Sequence, residues 1–196
     1  MKRIIISILC LTCLFASVVM ADEITDRLKA GSDFYNQKKF SDAISEISYA
    51  LQLIRQKQAD ELGKYFPAAP SGWTAEEVEN EAAAAMFMGG VTAVSRDYNH
   101  DSGASVDISM AMDSPLLSPI MMFMSNPMMA GAKRVETIAG ERALIDFSNE
   151  DKSGEINVVV ANKLLLTLNG NDVTFDQLKG FLTSMDIKGL KTFIGN

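Results

Sequence analysis

The sequence predicts an α+β protein, with a helical hairpin over residues 22–66 and, after a linker, an antiparallel sheet of about six strands packed with helices over residues 73–196. Three observations lead there. Residues 24–66 hold many helix formers and few strand formers. From Val91 onward the apolar period falls to two, the period of a strand with one face in a core. Finally, two adjacent aliphatic runs, Ile156 to Val160 and Leu164 to Leu168, pair across a three-residue turn at Ala161, Asn162 and Lys163. That loop sets Ile156 against Leu168, Val158 against Leu166 and Val160 against Leu164, so one face is wholly aliphatic. A two-residue loop would put Asn157 opposite Leu168, and burial therefore selects the odd-numbered loop.

Ahead of the hairpin, Lys2 and Arg3 precede an apolar run from Ile4 to Val19, and small residues at Val19 and Ala21 stand before the acidic Asp22. This is the pattern of a secretory signal peptide over residues 1–21, and it implies export to the periplasm or the medium of a bacterium. Both cysteines, Cys10 and Cys13, lie in that segment, so the expected mature chain has no disulfide, no thiolate metal site and no cysteine nucleophile. Without Lys2 and Arg3 it carries 16 basic against 25 acidic residues, a net charge of −9. That excess argues against nucleic acid and anionic lipid as partners, and no later run is long and apolar enough to hold the mature chain in a membrane.

Within residues 24–57, Gly31, Phe34, Phe40, Ala43, Ile47, Ala50 and Leu53 fall where a tetratricopeptide repeat places its small residues and aromatics, and the segment resembles one such repeat. The resemblance implies two antiparallel helices that approach at Gly31 and Ala43 while Phe34, Phe40 and Ile47 fill the seam, with a break at Asn36 to Lys39. Arg27 and Ala30 occupy positions where the family usually has Trp and Leu, and Arg55 that of its usual Pro. Without that proline the second helix should run on through Leu62. A single repeat cannot bury its apolar faces alone, so it is expected to dock on its own second domain or on another chain.

Pro67 to Gly72 reads as a linker, and Glu76 to Met88 as a helix for its alanines, ended by Gly89 and Gly90. Thr92 to Asn99 and Ala104 to Met112 form a hairpin around His100 to Gly103, with Val106, Ile108, Met110 and Met112 inward and Ser105, Asp107, Ser109 and Asp113 toward water. A short helix is predicted at Pro119 to Ser125, and a second hairpin joins Val135–Ile138 to Ala143–Phe147 through Ala139, Gly140 and Glu141. Thr174 and Gln177 make a capping box for a helix striped by Phe175, Leu178, Leu182 and Met185, and Ile187, Leu190 and Phe193 mark a last helix. This layout resembles that of secreted bacterial proteins of unknown function.

Chemistry-bearing residues are few. Asp97, Asn99 and Asp101 stand at the alternate spacing of a calcium loop with Asp107 nearby, but Gly103 comes one position late and Ile108 stands where a bidentate Glu belongs, so the segment reads as a polar hairpin tip. His100 is the only histidine, reads as solvated, and has no second imidazole with which to hold zinc or copper. No serine sits in a Gly-x-Ser-x-Gly turn or a Ser-x-x-Lys motif, and carboxylate pairs such as Glu150 and Asp151 lie in polar segments. The reading is therefore of no catalytic residue, no metal and no cofactor.

What stands out is methionine. The helix through Ile120, Met121, Met122, Phe123 and Met124, with Met128 beyond it, is apolar nearly all round, and such a helix is either buried on every side or offers a face to something else. The expected function is a non-enzymatic binding or accessory module that contacts a protein partner or associates with itself, using Met121, Met122, Phe123, Met124 and Met128 together with Phe34 and Phe40 of the hairpin. The alternative is a carrier that encloses a small apolar molecule or lipid in a pocket lined by Met110, Met112, Met121 and Met124.

Overall fold

A computed structural model describes residues 19–80, 91–126, 131 and 133–195. The chain divides into two compact units, with the break between Lys57 and Gln58.

The first unit is built from helix α1 (Val19–Asn36) and most of helix α2 (Phe40–Gly63). The connection is a left-handed helix stop. Lys38 has φ 60°, its N–H bonds Tyr35 O at 3.0 Å, and the Lys39 N–H reaches back to Phe34 O at 2.9 Å, which satisfies carbonyls that α1 leaves open. No proline interrupts α2 at Arg55, and the helix continues to Gly63, past the Leu62 that the sequence predicts.

The second unit is an antiparallel sheet of eight strands among the described residues: β1 (Trp73–Ala75), β2 (Glu79–Asn80), β3 (Thr92–His100), β4 (Ser105–Met112), β5 (Arg134–Ile138), β6 (Glu141–Ser148), β7 (Ser153–Val160) and β8 (Leu164–Asn171). Their order is β1-β3-β4-β8-β7-β6-β5, with β2 also on β3. The α+β class is as predicted, and so is the central register. β7 and β8 pair Ile156 with Leu168, Val158 with Leu166 and Val160 with Leu164, and Ala161 and Asn162 both take positive φ in the turn. The two strands beyond the expected six are β1 and β2, and β2 corrects the helix expected from Glu76. Glu79 and Asn80 pair with Ser95 and Val94, while residues 81–88 of that segment lie outside the described residues. In the β5–β6 hairpin the turn is two residues long rather than three. Glu141 pairs with Ile138, and Ala139 (φ 52°) and Gly140 (φ 82°) make the doubly left-handed turn that matches strand twist.

Among the described residues three helices follow in this unit: α3 (Leu117–Ser125) between β4 and β5, then α4 (Phe175–Ser184) and α5 (Ile187–Gly195) at the end. The capping box is present, with Thr174 Oγ1 accepting from the Gln177 N–H at 3.2 Å and the Gln177 side chain accepting from the Thr174 N–H at 2.8 Å. One face of the sheet carries the main core. Val106, Ile108, Met110, Ile156, Val158, Leu166 and Leu168 pack with Leu178, Phe181 and Leu182 of α4 and Leu190 and Ile194 of α5. The same cluster takes in Ala59, Leu62 and Phe66, from the end of α2 and just beyond it. The compact sheet unit thus begins before the Pro67 to Gly72 stretch, which the sequence reads as a linker, because these apolar residues upstream of it belong to the sheet's core.

Tyr98 shows how that core is closed. Its ring is fully buried 4.9 Å from the Phe181 ring, and its hydroxyl donates to Pro67 O at 2.8 Å. Burial pushes the Tyr98 pKa up to about 12, with nearby Arg96 pulling the other way. An unfolded tyrosine ionises near pH 10, so between about pH 10 and 12 the folded chain keeps a proton that the unfolded chain has lost. Stability is therefore expected to be intact below pH 10 and to fall as pH rises toward 12. Urea unfolding midpoints between pH 9 and 11.5 would check this, with Tyr98→Phe lacking this part of the slope.

Candidate binding surfaces

The hairpin is held by small residues. Ala43 and Ala50 are buried, and a methyl group added at Gly31 would lie 2.6 Å from Ile47 Cγ1, so the two helices approach closely there. To one side of this seam Arg27 spans the helices. Its Nη1 donates to Glu46 Oε2 at 3.0 Å, Glu23 lies 3.7 Å from Nη2, and the guanidinium sits 4.6 Å above the Tyr49 ring. The hydrogen bond to Glu46 raises the Arg27 pKa above its already high value. Arg27 thus lies over an aromatic ring while also pairing across the helices.

To the other side of the seam the surface is apolar and open. Leu28, Tyr35, Phe40, Ile44, Ile47, Leu51 and Ile54 are all exposed, Ile44 at 65% and Tyr35 at 63%. Tyr35 and Phe40 meet edge to face at 6.0 Å across the interhelical turn, joining the two helices' exposed residues into one patch. Phe40, expected in the seam, is at its rim. Phe34 is half-buried, with Lys39 Nζ 5.6 Å from its ring centre.

The Met-rich helix is divided in its role. Met124 is buried and packs with Leu144 on the face of the sheet opposite the main core, where half-buried Ile120, Phe123, Val135 and Val159 join it. Arg142 donates to Met124 O and closes the end of α3. Met121 is half-buried and Met122 is exposed, while Met128 lies outside the described residues. Met110 and Met112 belong to the main core on the other face, so the four methionines expected to line one pocket are separated by the sheet itself.

The face that α3 shares is otherwise polar, and register assembles on it a row that no local pattern in the sequence reveals. Asp97 pairs with Asp107, Asp107 with Asn169, Asn169 with Glu155 and Glu155 with Asp146, one residue from each of five neighbouring strands. Like charges directly opposite each other are unfavourable, and two such pairs occur here. Asn169 Nδ2 donates to Asp107 Oδ1 at 3.1 Å, and Lys133 pairs with Asp146 at 3.1 Å. Beside the row, Thr167 donates to Oδ1 of the buried Asn157 at 2.8 Å, and Asn157 donates to Glu155. Asp146, Glu155, Asn169, Asn171 and Lys133 line an open concavity of about 520 Å³.

At the hairpin tip, Asn99 donates to Glu76 Oε1 at 3.3 Å, and Asp97 O accepts from the Glu76 N–H at 2.9 Å. His100 is half-buried rather than solvated, its ring 5.1 Å from that of Trp73 and its Nδ1 accepting the Ser102 N–H at 3.1 Å. Among the described residues no three acidic, histidine or cysteine side chains group as a metal ion would require, and no helix is long and apolar enough to cross a membrane. Compared with known proteins, the chain matches no family model, no curated protein and no solved structure.

Proposed function

We propose that the protein is an exported, non-enzymatic binding module whose helical hairpin makes the contact with a protein partner. The observation that carries this reading is the apolar face of the hairpin. Seven large apolar side chains stand exposed on two helices that approach at Gly31, Ala43 and Ala50, one of the seven, Ile47, also packing against Gly31 as the sequence predicts. Monomeric proteins seldom leave a contiguous apolar patch of more than a few hundred Å² open to water. Met122 on α3 is a second, smaller apolar exposure. The carrier reading has less behind it, since Met110 and Met124 face opposite sides of the sheet.

Native purification followed by mass spectrometry of whatever copurifies tests the proposal, with the double variant Ile44→Lys, Leu51→Lys as control. A stoichiometric protein recovered with the native chain, or a native chain that purifies at a multiple of its own mass, in either case lost with the variant, is the expected result. A lipid or small molecule recovered equally with both would replace the module with a carrier.

A further inference from the structure

The apolar stripe on α2 has an internal order. Phe40, Ile44, Ile47, Leu51 and Ile54 follow at intervals of four, three, four and three residues, the spacing by which one helix meets another along a narrow seam. It spans about 21 Å at 1.5 Å per residue, with Ile47 seven residues from either end. On α1, Leu28 and Tyr35 are also seven residues apart, one on each side of Gly31, and add to the same face. The flanks of the stripe are small and uncharged over most of its length. Ser41 and Ser48 lie on one side and the buried Ala43 and Ala50 on the other, and no charge stands beside the seam until Arg55 at its end. Flanking charges are what set helix pairs against wrong partners, so nothing along this seam repels an identical one. The seven exposed side chains present on the order of 700 Å², close to the roughly 800 Å² per partner of a stable interface.

We infer that this face binds the same face of a second copy of the chain, two hairpins joining about a two-fold axis at Ile47 into a bundle of four helices. The inference rests on the reading of the hairpin as the contact surface and names its partner. Such a contact is isologous, each copy offering the same residues to the other, and it covers the stripe from Phe40 to Ile54 on both. Whether the two α2 helices run parallel or antiparallel, Ile47 meets Ile47.

Sedimentation equilibrium of the exported chain between about 1 and 100 µM is expected to give twice the monomer mass, within the micromolar range of small helical interfaces. Ile44→Lys, Leu51→Lys is expected to weaken association at least a hundredfold with an unchanged circular dichroism spectrum. In a second measurement, Ile47→Cys, the single thiol of the mature chain, is expected to form an intermolecular disulfide on mild oxidation, whereas a cysteine at the exposed Ser45, on the side of α2 turned away from the stripe, is not. A native chain that is monomeric at 100 µM overturns the inference, as does a dimer that the double variant leaves intact or that Ile47→Cys fails to link. A monomer from which the double variant still removes a different copurifying protein would leave the hairpin as a contact surface and reject self-pairing alone. A monomer with no partner of either kind would reject both.

Discussion

A fragment starting at Ser71 is expected not to fold, whereas one starting at Gln58 is expected to fold as a cooperative unit. The shorter fragment lacks Ala59, Leu62 and Phe66, all buried in the core that the sheet shares with α4 and α5. Each large side chain contributes about 1.5 to 3 kcal/mol by its burial, and removing them also exposes the apolar surface they cover. The Pro67 carbonyl that accepts the buried Tyr98 hydroxyl is lost as well, leaving that donor without its partner. Together these approach the 5 to 15 kcal/mol by which a domain is ordinarily stable. Amide dispersion in a proton–nitrogen correlation spectrum would distinguish the two fragments. A well-dispersed spectrum from residues 71–196 would show that the end of α2 is dispensable.

Phe181→Ala is the point substitution from which the largest loss is expected. The Phe181 ring is buried and lies 5.1 Å from that of Trp73 and 4.9 Å from that of Tyr98, so one side chain of α4 holds β1 and β3 at once. Truncating a buried phenylalanine typically costs about 3 to 5 kcal/mol, because the cavity left behind is only partly closed. In a chain of this size that corresponds to a fall in melting temperature of about 6 to 20 °C. A scan that moved less than about 3 °C would mean that Trp73 and Tyr98 collapse into the space. The same variant is also expected to quench or shift Trp73 fluorescence, since it exposes the indole to water.

The strands that sequence pattern locates well are those where one face is aliphatic without a break. Ile156 to Val160 and Leu164 to Leu168 carry their register in their own composition, since any shift by one residue would turn Asn157 inward. The capping box at Thr174 and Gln177 is equally local, three residues apart on one turn. β1 and β2 are not legible in this way. Three and two residues long, they have no period to display, and their pairing with β3 is set by tertiary packing rather than by Thr74 or Glu79 themselves. Phe181, left out of the stripe of Phe175, Leu178, Leu182 and Met185, follows Leu178 by three residues, so it shares their side of the helix and is buried with them.

The candidate surfaces divide along the same line. The exposed face of α2 is present in the sequence as apolar residues at helical spacing, but spacing alone cannot say which positions turn toward α1. Gly31 and the two alanines decide that, by letting the helices approach with Ile44 and Leu51 left outside. The row from Asp97 to Asp146 joins residues up to 72 positions apart and exists only once five strands are in register. The methionines misled for a related reason: Met110 and Met124 are alike in chemistry and near in sequence, and a single layer of backbone separates them.

The two ends of the sheet are finished differently, and both finishes refuse another strand. Along the free side of β3 the hydrogen-bonding edge is taken up in two short pieces, β1 against Tyr98 to His100 and β2 against Val94 and Ser95, so no long straight run remains open. At the other end β5 is five residues long and carries Arg134 and Glu136, ion-paired at 3.0 Å, with the Arg134 guanidinium turned over the Phe175 ring at 4.4 Å. A short edge strand bearing a charge on the covered face is a poor template for pairing with a neighbour's backbone. Neither end of the sheet thus gives a neighbouring chain a backbone edge along which ribbons or fibrils could grow.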